Sequence, residues 1–257
     1  AISNLRLVIA LPKPAGFFDP ANPGGLRPEL PGEDDEVKTD VEKVTEVLTA
    51  MINDEQAEEP EEPQFAERSP LLSFSNTDMA FSDDVLVAGN YHGFNAYRLG
   101  EDGVPTLVSS VVCPGGQGDV SIVGDLLLMS VQDTRARLDC GLQGVAEKVS
   151  EERFRGLRIF DISDITNPVQ VGQVQTCRGS HTHSVVSETE TSLIVYNSGT
   201  SRIREEEELA GCIGDVPGDD RTALFRIDVI EIPLADPSKS RIVDSPAVFA
   251  DPETGRL

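Results

Sequence analysis

The sequence predicts an all-β chain made of β-propeller blades, each of four antiparallel strands. Three observations carry that expectation. Asp78-Met-Ala-Phe-Ser-Asp-Asp-Val-Leu-Val-Ala-Gly aligns without a gap with Asp119-Val-Ser-Ile-Val-Gly-Asp-Leu-Leu-Leu-Met-Ser, turn carboxylates Asp84 and Asp125 included. Gly93-Phe-Asn-Ala-Tyr leads to Pro105-Thr-Leu-Val over the same distance that Gly156-Leu-Arg-Ile-Phe leads to Pro168-Val-Gln-Val. The cysteines keep step with the repeat, Cys113 standing six residues before Asp119 and Cys177 six before His183. A looser third copy runs from His183-Ser-Val-Val through Ser192-Leu-Ile-Val-Tyr to Ala223-Leu-Phe-Arg-Ile-Asp and Arg241-Ile-Val. A unit of about 40 residues holding four short apolar runs is the signature of a propeller blade.

Taken in order, residues 1–12 hold the run Leu5-Arg-Leu-Val-Ile-Ala-Leu, which predicts a strand at 5–11 that joins the sheet to escape water. Residues 13–70 read as an acidic linker rich in Pro and Gly. Within it Val37, Val41, Val44, Leu48 and Met51 recur at steps of three and four, which predicts a helix over 35–56 with Asp34 and Asp35 at its positive end. The acidic, Pro-rich stretch 57–69 reads as disordered.

Residues 71–257 form the blades. The first has strands a to d, from the axis outward, at 78–82, 85–89, 94–98 and 105–112. The second has them at 119–123, 126–131, 157–162 and 169–176, and the third at 183–187, 192–197, 223–231 and 240–249. The b-to-c connection is short in the first blade and long in the others, at 132–155 and 198–221. Connections of that length in a compact domain carry function or are mobile. Glu205 to Glu208 reads as a solvated charge run.

Lys plus Arg total 21 against 45 Asp plus Glu, a net charge of −24. Nucleic acid and anionic membranes would repel such a chain, so neither is an expected partner. The charge suits solubility in salt water or cation binding. There is no run of 18 apolar residues, hence no expected transmembrane helix. The small residue at Ala1 fits the product of signal cleavage and equally an arbitrary start.

Strands alternate in direction, so the d-to-a loops bearing Cys113 and Cys177 share a face with the insertions bearing Cys140 and Cys212. This geometry predicts disulfides Cys113–Cys140 and Cys177–Cys212 and an oxidising compartment. Four reduced thiols or a cysteine metal site are the alternatives. Asp78, Asp119 and His183 start three successive innermost strands, with His181 two residues earlier. They are expected at the mouth of the central channel, on the face that also holds His92. Imidazole with carboxylate makes Asp78, Asp119, His181 and His183 a candidate set for a divalent metal: Zn, Mn, Fe or Cu, or Ca through the carboxylates. The competing expectation is that a carboxylate at a strand start accepts bonds from turn N–H groups.

No phosphate loop stands before a helix, since Pro114-Gly-Gly-Gln-Gly is a turn into a strand. Ser180 and Ser184 lie beside histidines without a Gly-x-Ser-x-Gly elbow. Trp is absent and aromatics are 5%, which disfavours sugar-stacking platforms.

The segment Gly156-Leu-Arg-Ile-Phe-Asp-Ile-Ser-Asp-Ile-Thr-Asn-Pro-Val-Gln-Val-Gly, with Gly93-Phe-Asn-Ala-Tyr, resembles the LVIVD-repeat proteins over residues 71–250. The resemblance implies an exported bacterial or archaeal β-propeller. It names no activity, because most members have no known function. Three blades do not close a ring of ordinary size. Further blades, a protein partner or a second copy of the chain are therefore the expected partners. Two functions stand as expectations. One is an exported, extracellular, cell-surface or periplasmic interaction module that is not an enzyme. The other is a metal-dependent enzyme at the channel mouth.

Overall fold

A computed structural model of the chain describes residues 6–17, 75–214 and 222–248. It is all-β: three four-stranded antiparallel sheets in chain order, with one 3-10 turn at Pro237–Lys239 among the described residues. Blade 1 comprises β1 (Asn76–Ser82), β2 (Val85–Asn90), β3 (Gly93–Leu99) and β4 (Pro105–Val112). Blade 2 comprises β5 (Val120–Val123), β6 (Leu126–Val131), β7 (Gly156–Asp161) and β8 (Val169–Gln175). Blade 3 comprises β9 (Thr182–Glu188), β10 (Ser192–Ser198), β11 (Asp228–Pro233) and β12 (Arg241–Asp244). Each blade is a meander in which every strand pairs with its sequence neighbours.

The repeat seen in the sequence returns as repeated hydrogen bonds. In blade 1 the Leu99 N–H donates to the Asp84 carbonyl at 2.7 Å; in blade 2 the Ile162 N–H donates to the Asp125 carbonyl at 2.8 Å. The Cys113 N–H donates to the His92 carbonyl, and the Thr176 N–H donates to the Arg155 carbonyl, both at 2.9 Å. Gly93 and Gly156 open equivalent strands at φ 138° and 146°, a region that L side chains avoid. A Cβ there would stand 2.0 Å from the Val111 carbonyl oxygen and 1.9 Å from that of Val174. Glycine recurs at this step because the outer strand passes too close for any side chain.

Two apolar layers hold the blades face to face. Between blades 1 and 2 lie Val87, Phe94 and Ala96 against Leu127, Met129, Val131 and Phe160. Phe94 and Phe160 meet edge to face, 5.1 Å between centroids, the arrangement that aromatic quadrupoles favour. Between blades 2 and 3 lie Leu128, Leu157 and Ile159 against Leu193, Val195, Ile230 and Ile232. Alternation along each strand sends successive side chains to opposite faces, so blade 2 is apolar on both. Full burial of such a side chain stabilises by about 1.5–3 kcal/mol.

Three expectations are corrected. The run at 6–11 forms no strand: these residues are exposed, Leu7 at 76%, and pair with no blade. The segment is anchored further on, by the buried Phe17 against the His92 ring. Strand c of blade 3 begins at Asp228 and not at 223, because the chain turns first and Phe225 takes φ 53°. Strand d of blade 3 ends at Asp244, shortly before Pro246, which has no N–H to give a ladder. The helix expected at 35–56 lies outside the described residues.

Candidate functional site at the loop face

The d-to-a and b-to-c loops gather on one face. Cys113 is bonded to Cys140 with Cα atoms 4.5 Å apart, and Cys177 to Cys212 at 5.2 Å. Each disulfide ties a long insertion to its own blade. No free cysteine remains among the described residues.

A charged network then joins the two insertions. Glu208 is buried between Arg153 of one insertion and Arg204 of its own, with Arg204 Nε 2.5 Å from the carboxylate. Glu208 also accepts the Ser150 N–H at 2.9 Å. The glutamate run is therefore not uniformly solvated, since Glu208 turns inward to meet two arginines. Arg155 lies next to this cluster and its guanidinium is pushed down to about 10 by burial, then by the charges of Arg204 and Arg153. Arg158 is fully buried, 4.2 Å above the Phe154 ring, and is likewise pushed down to about 10 by burial. It donates to the Gln170 side chain and to the carbonyls of Arg137 and Leu138, which pin the root of the first insertion onto β7.

The inner strands carry the candidate ligands. Asp78 accepts the Val120 N–H of the next blade at 3.1 Å. Asp119 accepts the His183 N–H of the next blade at 2.8 Å. Both carboxylates thus clamp the following inner strand, accepting from its N–H groups and not from the turn N–H groups expected of a carboxylate at a strand start. Asp119 also lies 2.9 Å from His183 Nδ1, and Ser130 Oγ stands 2.8 Å from the same nitrogen and 2.7 Å from Ser180 Oγ. This network is met by an Nδ1–H that donates to Asp119, an assignment made from the partners. Burial works to raise the Asp119 carboxyl, but hydrogen bonds and charge from His183, with a contact from Asp78, hold it below the usual range.

Asp78, Asp119 and His183 therefore come together as neighbours, whereas His181 does not join them. His181 Nδ1 pairs with Gln132 Oε1 at 2.6 Å, and His92 packs against Phe17. Among the described residues, no three His, Cys, Asp or Glu side chains converge in a metal-holding arrangement. His183 Nε2 is buried and has no protein partner.

A cleft of about 300 Å³ opens where the loops of the three blades meet, lined by Tyr91, Gly116, Gln132, Asp133, Thr134, Thr200 and Ser201. Ser130, Gln132 and Glu208 were not legible as site residues in the sequence, and Ser180 stood out there only as a serine beside histidines. The only signal was their position at strand ends and in insertions on the predicted face. No helix among the described residues is long and apolar enough to cross a membrane. The chain matches no protein-family model and no curated protein.

Proposed function

We propose that these blades belong to an exported, LVIVD-type β-propeller that works as a surface and protein-interaction module, without catalysis of its own. One observation carries the reading. The side of blade 1 that faces away from blade 2 is apolar and partly exposed, and among the described residues no sheet covers it. Phe81 pairs with Leu86, Leu86 with Tyr97 and Tyr97 with Leu107, so the four form one row across the sheet. Met79 stands beside that row at 60% exposure, with Phe81 at 59%. On blade 2 the corresponding face is covered by blade 1. An uncovered apolar face on a strongly acidic protein marks a contact surface. The partner is a protein surface of the same kind: a further blade, a second copy or another chain. Two disulfides support an oxidising, extracytoplasmic setting.

The test is a photo-crosslinking amino acid at position 81 in the protein as it is exported, with position 102 in an exposed turn as the control. Adducts at 81 and none at 102 are expected. Equal labelling, or no adduct at 81, overturns the reading.

A second reading is a metal-dependent enzyme at the channel mouth, favoured by the buried His183 Nε2, which has no protein partner, on a ring whose Nδ1 meets Asp119. A neutral imidazole can bind a metal through one nitrogen while an acceptor holds the other. Elemental analysis of the purified protein decides it. Stoichiometric metal that is lost in Asp78→Ala with Asp119→Ala supports this reading, and metal-free protein removes it.

A further inference from the structure

The cleft at the junction of the three blades has the chemistry of a sugar site, and we propose that it binds a neutral saccharide. This deepens the interaction-module reading by naming a ligand for the loop face.

Its volume of about 300 Å³ is the lower end of ligand-site sizes, which suits the end of a glycan or a short oligosaccharide. Its wall is formed by Thr134, Thr200, Ser201, Gln132, Asp133 and the aromatic residue Tyr91; the Thr200 and Ser201 hydroxyls give their protons to Gln132 and keep lone pairs to accept from a ligand. Hydroxyl-rich ligands need that mixture: planar groups that bond to adjacent hydroxyls, and one aromatic residue to receive C–H faces.

The charge balance decides against ionic ligands. Asp133 accepts the backbone N–H of Arg135 at 2.9 Å and pairs with the Arg135 guanidinium at 3.4 Å. A cationic ligand would find the carboxylate already balanced, and an anionic one would meet a protein of net charge −24. A neutral polar ligand incurs neither cost.

The cleft is also held in shape before any ligand arrives. Gln132 Oε1 is fixed by His181 at 2.6 Å and by the Thr200 hydroxyl at 2.9 Å. The Ser201 hydroxyl donates to the Gln132 carbonyl, and Cys113–Cys140 closes the root of the insertion. Rigid polar groups lose little freedom on binding, which is how a small site reaches useful affinity. His181, one of the candidate metal ligands, acquires here the role of a positioning residue.

Saturation-transfer NMR tests this with a panel of glucose, galactose, mannose, N-acetylglucosamine, maltose and cellobiose, on the wild type, Tyr91→Ala and Thr200→Val. Transfer to the ring protons of at least one sugar is expected, with affinity roughly tenfold weaker or worse in Tyr91→Ala. Thr200→Val keeps the test open if Tyr91→Ala does not fold. The proposal falls if no sugar receives saturation from folded wild type at millimolar concentration. It also falls if the folded variants bind as the wild type does. The crosslinking test at position 81 reads a different surface. Loss of sugar binding with adducts at 81 intact removes this inference alone; the converse removes the protein-partner reading alone.

Discussion

At the residue scale, Asp119 combines two tasks. It clamps the next inner strand through the His183 N–H, and it holds the His183 ring. Its folded pKa lies below the unfolded value of about 3.9. The stability it adds is therefore fully present above that value and is lost as the pH falls through the lower, folded one. Asp119→Asn is expected to cost about 1.5–3 kcal/mol near neutral pH, the usual loss for a charge-assisted bond. The variant should also show a flatter stability curve in acid. Urea unfolding of both proteins at neutral and acid pH measures this, and parallel curves would remove the carboxylate from the account. Gly156→Ala tests the other residue-scale claim. The added methyl meets a carbonyl oxygen at 1.9 Å in a backbone region closed to alanine, so a loss of more than about 2 kcal/mol is expected. The same measurement on Gly124→Ala, with nothing within 4 Å of the added atom, should show a smaller cost.

At the element scale, the insertions are the unusual parts of the fold. They have little regular structure, yet they are tied down at both levels. The disulfides span 27 and 35 residues, and closing loops of that size in the unfolded chain is worth about 3–4 kcal/mol each by chain entropy. Glu208 adds a second tie, between the insertions. Cys113→Ser with Cys140→Ser is expected to lower stability by about that amount and to open the first insertion to protease before the blades unfold. Limited proteolysis with mass mapping checks the order: first cleavage inside a blade strand would show that the staple governs the sheet and not the insertion. The cysteine spacing made both disulfides legible. The insertion network was not legible, because Glu205 to Glu208 has the composition of a solvated run, and which glutamate turns inward depends on where Arg153 arrives.

At the scale of the whole molecule, net charge sets the response to salt. A charge of −24 repels itself in the folded state. That repulsion acts over about 30 Å at 0.01 M salt and about 3 Å at 1 M. Sodium chloride is therefore expected to raise the melting temperature by a few degrees, about 2–4 °C per kcal/mol for a chain of this size. Calorimetry across a salt series checks it. A melting temperature that falls with salt would mean that ion pairs such as Arg137 with Asp139 and Glu152 outweigh the repulsion. The apolar row on blade 1 belongs to this scale too, since among the described residues its exposure follows from having no neighbouring sheet on that side.

The sequence by itself determined the blades. Strand periodicity, a glycine that no side chain can replace and cysteines in step are local or repeated constraints, so they are visible in one dimension. The third blade was least accurate because it has the loosest repeat, and a turn with positive φ at Phe225 looks apolar enough to be a strand. Asp78, Asp119 and His183 were legible as neighbours because repeat alignment places them at equivalent strand starts. Only the tertiary structure decided their use. Asp78 and Asp119 spend bonds on the N–H groups of neighbouring blades, and His181 turns to Gln132 and the cleft. Those choices depend on which donor lies within about 3 Å after folding, and sequence distance carries no record of it.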